Sequence, residues 1–186
     1  MSRPLDVVVV NGSPSEPSKT AALADLITAR LGELVPITVR RVDVYRLGPG
    51  FTGGLAREDF PPDVEAAYRA VEEADVVVAA TPVFRGSYSG LFKHFFDHVG
   101  QYALANKPVV LAATGGSDRH ALVIEHALRP LFGFFQAAVL PVGFYVSAGA
   151  FDGTTVLDPE VYSRIEVGLD DVLPHLRNLT LDREPT

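Results

Sequence analysis

Four hydroxyl side chains, Ser13, Ser15, Ser18 and Thr20, fall within one short turn of the stretch VVVVNGSPSEPSKTAAL at 7–23. An apolar β-branched run precedes the turn and a segment with helical spacing follows it. Backbone N–H groups at the start of a helix have no intrahelical partners, and hydroxyls beside them add donors, so the stretch suits a single phosphate group. Neither standard nucleotide loop is spelled here. A triphosphate loop, G-x-x-x-x-G-K-[ST], needs its second glycine where Ser18 stands, one residue late. The dinucleotide turn G-x-G-x-x-G fails as well, because Gly12 is the only glycine between strand and helix. Ser and Thr are also ordinary helix caps, and Pro14 and Pro17 ordinary turn formers, so this stretch alone leaves both readings open.

Two further loops share its character. TPVFRGSYSG at 81–90 carries Phe84 and Tyr88, either of which can lie against a flat ring, although Phe84 fits a core position equally well. TGGSDRH at 114–120 carries Gly115 and Gly116, whose amides can donate to a polar heterocycle edge and favour negative charge there, or can simply form a turn. A phosphate grip, an aromatic wall and a glycine pair together suit a flat aromatic phosphate ester such as FMN. None of the strands before these loops ends in the Asp that a triphosphatase uses to hold magnesium.

For the three loops to meet, the elements must run as a doubly wound sheet. Apolar runs at 5–10, 75–80, 108–113 and 138–146 are short and nearly continuous, as parallel strands covered on both faces are. Helical spacing appears from Leu23 to Leu34, Val64 to Val71 and Leu91 to Val99, within 118–135, and across 158–178. The more polar run ITVRRVDV at 37–44 belongs at an edge, as does the fifth run, which contains Pro141. The pattern predicts an α/β, flavodoxin-like sheet of five parallel strands in the order 2-1-3-4-5 with helices on both faces, one domain over 1–186. Its ligand lies beyond the carboxyl ends of strands one and three. YRLGPGFTGGLAREDF at 45–60 is a long loop, either functional or a mobile insertion.

Composition narrows the partners. The 186 residues include no Cys, which excludes disulfides, thiolate catalysis and Cys-ligated metal. A net charge of −7 without any block of like charge gives no support to nucleic acid or a membrane surface as partner. The apolar start in MSRPLDVVVV is too short for a signal-peptide core or a membrane span, so the expected location is the cytoplasm.

With its loops placed, the chain resembles the NAD(P)H-dependent FMN reductase family. Within that family it is most similar to the reductases of two-component alkanesulfonate monooxygenase systems, the methanesulfonate-utilising branch above all. GSPSEPSKT, ATPVFRGSYSGLFK and ATGGSDRHALVIEHALRP carry the resemblance. It implies that Ser13, Ser15, Ser18 and Thr20 hold the FMN phosphate and that Pro82, Val83, Phe84, Arg85, Gly86 and Ser87 line the isoalloxazine. Thr114, Gly115, Gly116 and Ser117 would then meet the pyrimidine side. NADH or NADPH is the implied reductant, with a lean towards NADH, and the hydride passes directly to flavin N5 without a catalytic side chain. FMNH2 is then handed to a partner monooxygenase. Many family members have Arg where this chain has Ser15, so the first loop, read as uncharged, is expected to hold its flavin loosely. Arg85 is either a contact for the nicotinamide nucleotide's phosphates or a solvated loop residue. Two rivals share the fold: a quinone or azo reductase that retains FMN, and a flavodoxin-type electron carrier.

Pro130 lacks an N–H, so the carbonyl of His126 loses its α-helical bond and the helix must kink or bulge; a one-turn π-bulge is a common remedy. The resemblance places this helix at the subunit interface of a dimer or tetramer, with His126 at the inserted position, in a role that loosens flavin. His94 and His98 have the i, i+4 spacing of a metal pair but no third ligand. They are expected on a solvated or interface face, with no metal. Lys93, Asp97 and Glu125 read as ion-pair residues.

Overall fold

The computed structural model describes residues 3–181. β1 (Leu5–Asn11) leads into α1 (Lys19–Leu34), and β2 (Ile37–Asp43) is followed by a short helix, α2 (Pro49–Thr52), and by α3 (Pro62–Glu73). β3 (Val76–Pro82) and α4 (Gly90–Asp97) precede β4 (Pro108–Gly115), after which a π-helix, Ile124–Leu128, runs directly into α5 (Arg129–Phe134). The remainder comprises β5 (Ala138–Val139), β6 (Phe144–Ser147), β7 (Phe151–Asp152), β8 (Thr155–Val156), α6 (Pro159–Asp170) and α7 (Leu173–Leu181).

The main sheet is parallel, in the order β2-β1-β3-β4-β5. Successive valines explain why both faces must be covered. Val8 and Val10 of β1 join one core with Phe92, Phe95 and Phe96 of α4 and Phe132 of α5, while Val7 and Val9 join the other with Leu23 and Ile27 of α1 and Ile165 of α6. A strand buried on both sides has no polar face, hence the unbroken apolar runs. β2 lies at an edge, with Arg40 and Arg41 exposed.

The single fifth strand expected at 138–146 is two short strands. β5 pairs with the start of β4, at Pro108 and Val109, and β6 with its end, from Ala112 to Gly115. Pro141 between them cannot donate to a ladder, and the Arg129 guanidinium instead donates to the carbonyls of Leu140 and Pro141 at 3.0 and 3.1 Å. The last helix also divides, into α6 and α7, because Pro174 has no N–H for the carbonyl of Asp170. The antiparallel pair β7–β8 is an addition that the sequence pattern did not foresee. Among the described residues no helix is long and apolar enough to cross a membrane.

The 45–60 segment is not a mobile insertion. Phe51 of α2 is fully buried, Phe60 stacks on Tyr68 at 5.3 Å, and Arg57 bonds Glu65 and Glu72 of α3. His94 and His98 are not a solvated face either, because they brace this segment. His94 Nε2 lies 3.0 Å from the Phe51 carbonyl oxygen, and the His98 ring meets Phe60 edge-on at 4.9 Å. Among the described residues no group of three His, Cys, Asp or Glu side chains could hold a metal ion. Lys93 pairs with Asp97, and Arg129 with Glu125 through two bonds of 2.6 and 2.8 Å.

The π-helix is the remedy Pro130 calls for. The Arg129 N–H reaches back five residues to the carbonyl of Ile124, so the extra residue in the turn relieves the contact between the proline ring and the His126 carbonyl.

Candidate functional site

β1 delivers the first loop with its direction already fixed. Asn11 donates through Nδ2 to Asp43 at 2.7 Å and accepts from the Ser13 N–H at 3.2 Å, which turns the chain sharply out of the sheet. Gly12 passes so close to α4 that a Cβ there would lie 2.9 Å from Phe92 and 3.1 Å from Ser89 Oγ. Its carbonyl accepts from that same Ser89 hydroxyl at 2.7 Å. Ser13 Oγ then accepts from the Ser15 N–H at 3.3 Å, and Ser18 caps α1 by accepting from the Ala21 N–H at 3.1 Å. Thr20 Oγ1 and Thr114 Oγ1 share a hydrogen bond of 2.7 Å, which joins the first loop's helix to the end of β4.

The second loop leaves β3 beside β4, with the Val83 N–H donating to the Thr114 carbonyl at 2.7 Å. Phe84 and Ser87 then exchange two backbone bonds, of 2.8 and 3.1 Å, around a two-residue turn. Both central residues have positive φ, 52° at Arg85 and 84° at Gly86, the requirement of a type I′ turn. Gly86 meets it freely; Arg85 does so at a cost on the order of 1 kcal/mol. Phe84 is 43% exposed, which removes the core reading of that residue.

Tyr145 of β6 sets the third loop. Its hydroxyl donates to the Ser117 carbonyl at 2.5 Å, and burial, followed by the nearby charge of Asp118, raises its pKa. A Cβ on Gly115 would strike that hydroxyl at 2.3 Å, whereas Gly116 faces open space.

Ser13, Ser15, Thr20, Pro82, Val83, Thr114, Gly115 and Gly116 come together around one cleft of about 380 Å³. The structure does not bring the other sequence-predicted residues into it. Ser18 faces an adjoining cleft of about 290 Å³ on the other side of the first loop. Phe84, Arg85, Gly86 and Ser87 form the tight turn that follows Val83, and Ser117 lies just past Gly116 with its carbonyl turned to Tyr145. His126 and Pro130 are exposed on the π-helix and α5. Sequence reasoning missed Lys19, Ala148, Gly153 and Thr154, all of which line the main cleft. The first loop was therefore wrongly read as uncharged. Lys19, directly after the Ser18 cap, was the available signal; the residues around β7 and β8 gave none.

Hydroxyls, glycine backbone and a single ammonium make a lining that accepts a phosphate monoester and the polar edge of a ring, in a volume usual for small-molecule sites. Residues 5–152, which contain all three loops, match the family described as NADPH-dependent FMN reductase. The chain belongs to that family. The reductase is 41% identical over 183 residues to the NADH-dependent FMN reductase SfnF of Pseudomonas fluorescens, covering 96% of this chain and 98% of that protein. It is 44% identical over 174 residues to the NADH-dependent FMN reductase SfnE of Pseudomonas putida, 94% of each chain. Among solved structures it is similar to an oxidoreductase from Corynebacterium diphtheriae, with a TM-score of 0.85 at 30% identity over 98% of this chain and 100% of that one. The reductase is accordingly an oxidoreductase whose cofactors are FMN and a reduced nicotinamide nucleotide.

Proposed function

We propose that this reductase treats FMN as a diffusible substrate, reduces it with NADH or NADPH, and passes FMNH2 to a flavin-dependent monooxygenase acting on an alkanesulfonate, methanesulfonate first among them. The observation that carries the diffusible-substrate reading is the poverty of charge in the cleft: among the described residues it is lined by one ammonium and several hydroxyls, with no guanidinium to clamp a phosphate through two bonds. The partner, its sulfonate and a cytoplasmic role in sulfur metabolism rest on the resemblance carried by the three loop motifs. The names of the relatives above favour NADH.

On this reading one domain supplies every contact. Ser13, Ser15 and Thr20 hold the phosphate, while Ser18 caps the helix behind them. Pro82 and Val83, continued by the 84–87 turn, flank the ring, and Thr114, Gly115, Gly116 and Ser117 meet its pyrimidine edge. Arg85 stands on that turn as a contact for the nicotinamide nucleotide's phosphates. FMN, when bound, supplies a ring that accepts a hydride at N5. The chain's own work is orientation and a field: backbone dipoles at 115–116 favour negative charge at the pyrimidine. Among the described residues none that lines the main cleft brings a carboxylate or imidazole to act as general acid or base.

Anaerobic oxidation of NADH and of NADPH against increasing free FMN tests this directly. Bleaching of many equivalents of FMN per subunit is expected. Bleaching that stops at about one equivalent per subunit would replace the reading with a flavin-retaining quinone or azo reductase, or an electron carrier.

The π-helix and α5 are assigned to the interface of a dimer or tetramer. Leu122 and Phe134 are 60% and 63% exposed, and with His126 and Pro130 they recur every four residues along this segment. Two large exposed apolar side chains flanking His126 and Pro130 are material for an interface. His126→Ala is expected to shift the sedimentation profile towards smaller species and to lower FMN turnover; if neither changes, the assignment is withdrawn.

A further inference from the structure

Two clefts flank the first loop, and charge separates them. The cleft on the Ser18 side contains the guanidiniums of Arg41 and Arg46, but each is already paired, with Asp25 and Glu16, and Asp43 lines the same space. Among the described residues an entering anion would meet three carboxylates there and no unspent cation. The main cleft is the reverse case. Among the described residues Lys19 is the only charged one in its lining. The ammonium donates to the Ala148 carbonyl at 3.3 Å and lies 5.6 Å from the centre of the Phe151 ring. Neither partner carries a negative charge, and Lys19 pairs with no carboxylate among the described residues. A carbonyl and an aromatic face hold the cation in position without neutralising it.

We propose that Lys19 is the residue by which the cleft selects a phosphorylated flavin over an unphosphorylated one. This rests on the FMN reading given above and deepens it. The hydroxyls of Ser13, Ser15 and Thr20 serve a neutral ribityl chain about as well as a phosphate, so they discriminate little. Lys19 adds a term that only the charged ester receives. Because an ammonium is a compact point charge on a flexible stem, it attracts the phosphate without the paired geometry of a guanidinium, which fits a ligand that must leave after each turnover. Its contacts with Ala148 and Phe151 also tie α1 to the segment around β7, so loss of the side chain has a structural consequence that the test must separate from loss of charge.

Titration of FMN and of riboflavin by flavin fluorescence, on wild type, Lys19→Met and Lys19→Arg at two ionic strengths, makes that separation. Wild type is expected to prefer FMN, and added salt to weaken FMN but not riboflavin. Lys19→Met keeps the apolar stem and is expected to lose at least about tenfold in FMN affinity with riboflavin unchanged, so that the preference and its salt dependence fall together to what the helix N-terminus alone supplies. Lys19→Arg retains both. A Lys19→Met protein that weakens both flavins equally shows a tether only and overturns the proposal. A wild type that binds the two flavins alike overturns it too, while leaving FMN as a ligand. A wild type that binds neither flavin removes the FMN reading itself, and it does so before any variant is compared.

Discussion

Gly115→Ala is expected to abolish most FMN binding and to lower the unfolding midpoint, while Gly116→Ala leaves the fold intact. The added methyl at 115 would lie 2.3 Å from the Tyr145 hydroxyl, 3.1 Å from Cζ and 3.2 Å from Cε2. Tyr145 cannot retreat, because it is only 7% exposed and is packed into the core that includes Val123 and Ile124. Overpacking of this kind costs about 1–3 kcal/mol, and loss of the hydrogen bond to Ser117 about 1 kcal/mol more. Both losses fall on the turn proposed to meet the pyrimidine. At Gly116 no described residue lies within 4 Å of an added Cβ, so a methyl there perturbs only what enters the cleft, and FMN affinity is expected to drop without a shift in Tm. Adding Tyr145→Phe to Gly115→Ala removes the worst contact and should restore part of the stability, a coupling that a double-mutant cycle measures. Thermal unfolding and FMN titration across these variants decide the matter; equal losses at 115 and 116 would refute the packing argument.

What could be read from the sequence followed from how each residue does its work. Val7 to Val10 declare a strand buried on both faces because no polar residue interrupts them, and Pro130 declares an irregular helix because a missing N–H is a local fact. The order of strands followed from the polarity of β2, and with it the meeting of the three loops. The boundaries that failed depended on longer reach. Arg129 takes up the carbonyls beside Pro141, a contact across eleven and twelve residues, and so separates β5 from β6. Lys19 reaches Ala148, 129 residues away, and no periodicity announces that. The aromatic cluster of Phe51, Phe60, Tyr68, His94 and His98 draws on three separate segments, so its histidines looked solvated when read along one helix face.

Arg57→Met is expected to destabilise the protein by about 2 kcal/mol at pH 7 and far less at pH 3. The Arg57 guanidinium binds Glu65 at 2.6 and 3.0 Å and Glu72 at 2.9 and 3.1 Å, donates to the His98 carbonyl at 2.8 Å, and lies 4.2 Å from the centre of the Tyr68 ring. Its side chain and those of both carboxylates are each about a quarter exposed, so water screens part of the attraction and the full energy of a buried pair does not apply. Methionine would leave Glu65 and Glu72 to repel each other beside the buried Tyr68 hydroxyl, which has no hydrogen-bond partner among the described residues. The pH dependence has a definite sign. The hydrogen bond to Arg57 is the chief cause of the lowered pKa of Glu65, so its stabilisation is complete above the unfolded value near 4.5 and is lost as pH falls through the folded one. His98 acts earlier: burial, then the neighbouring His94, lowers its pKa, and wild type therefore begins to lose stability as pH falls below about 6.5. Urea unfolding of both proteins at pH 7, 5 and 3 should show the gap between them narrowing mainly over the lower interval. A gap that is absent at pH 7 would mean that water already satisfies the two carboxylates.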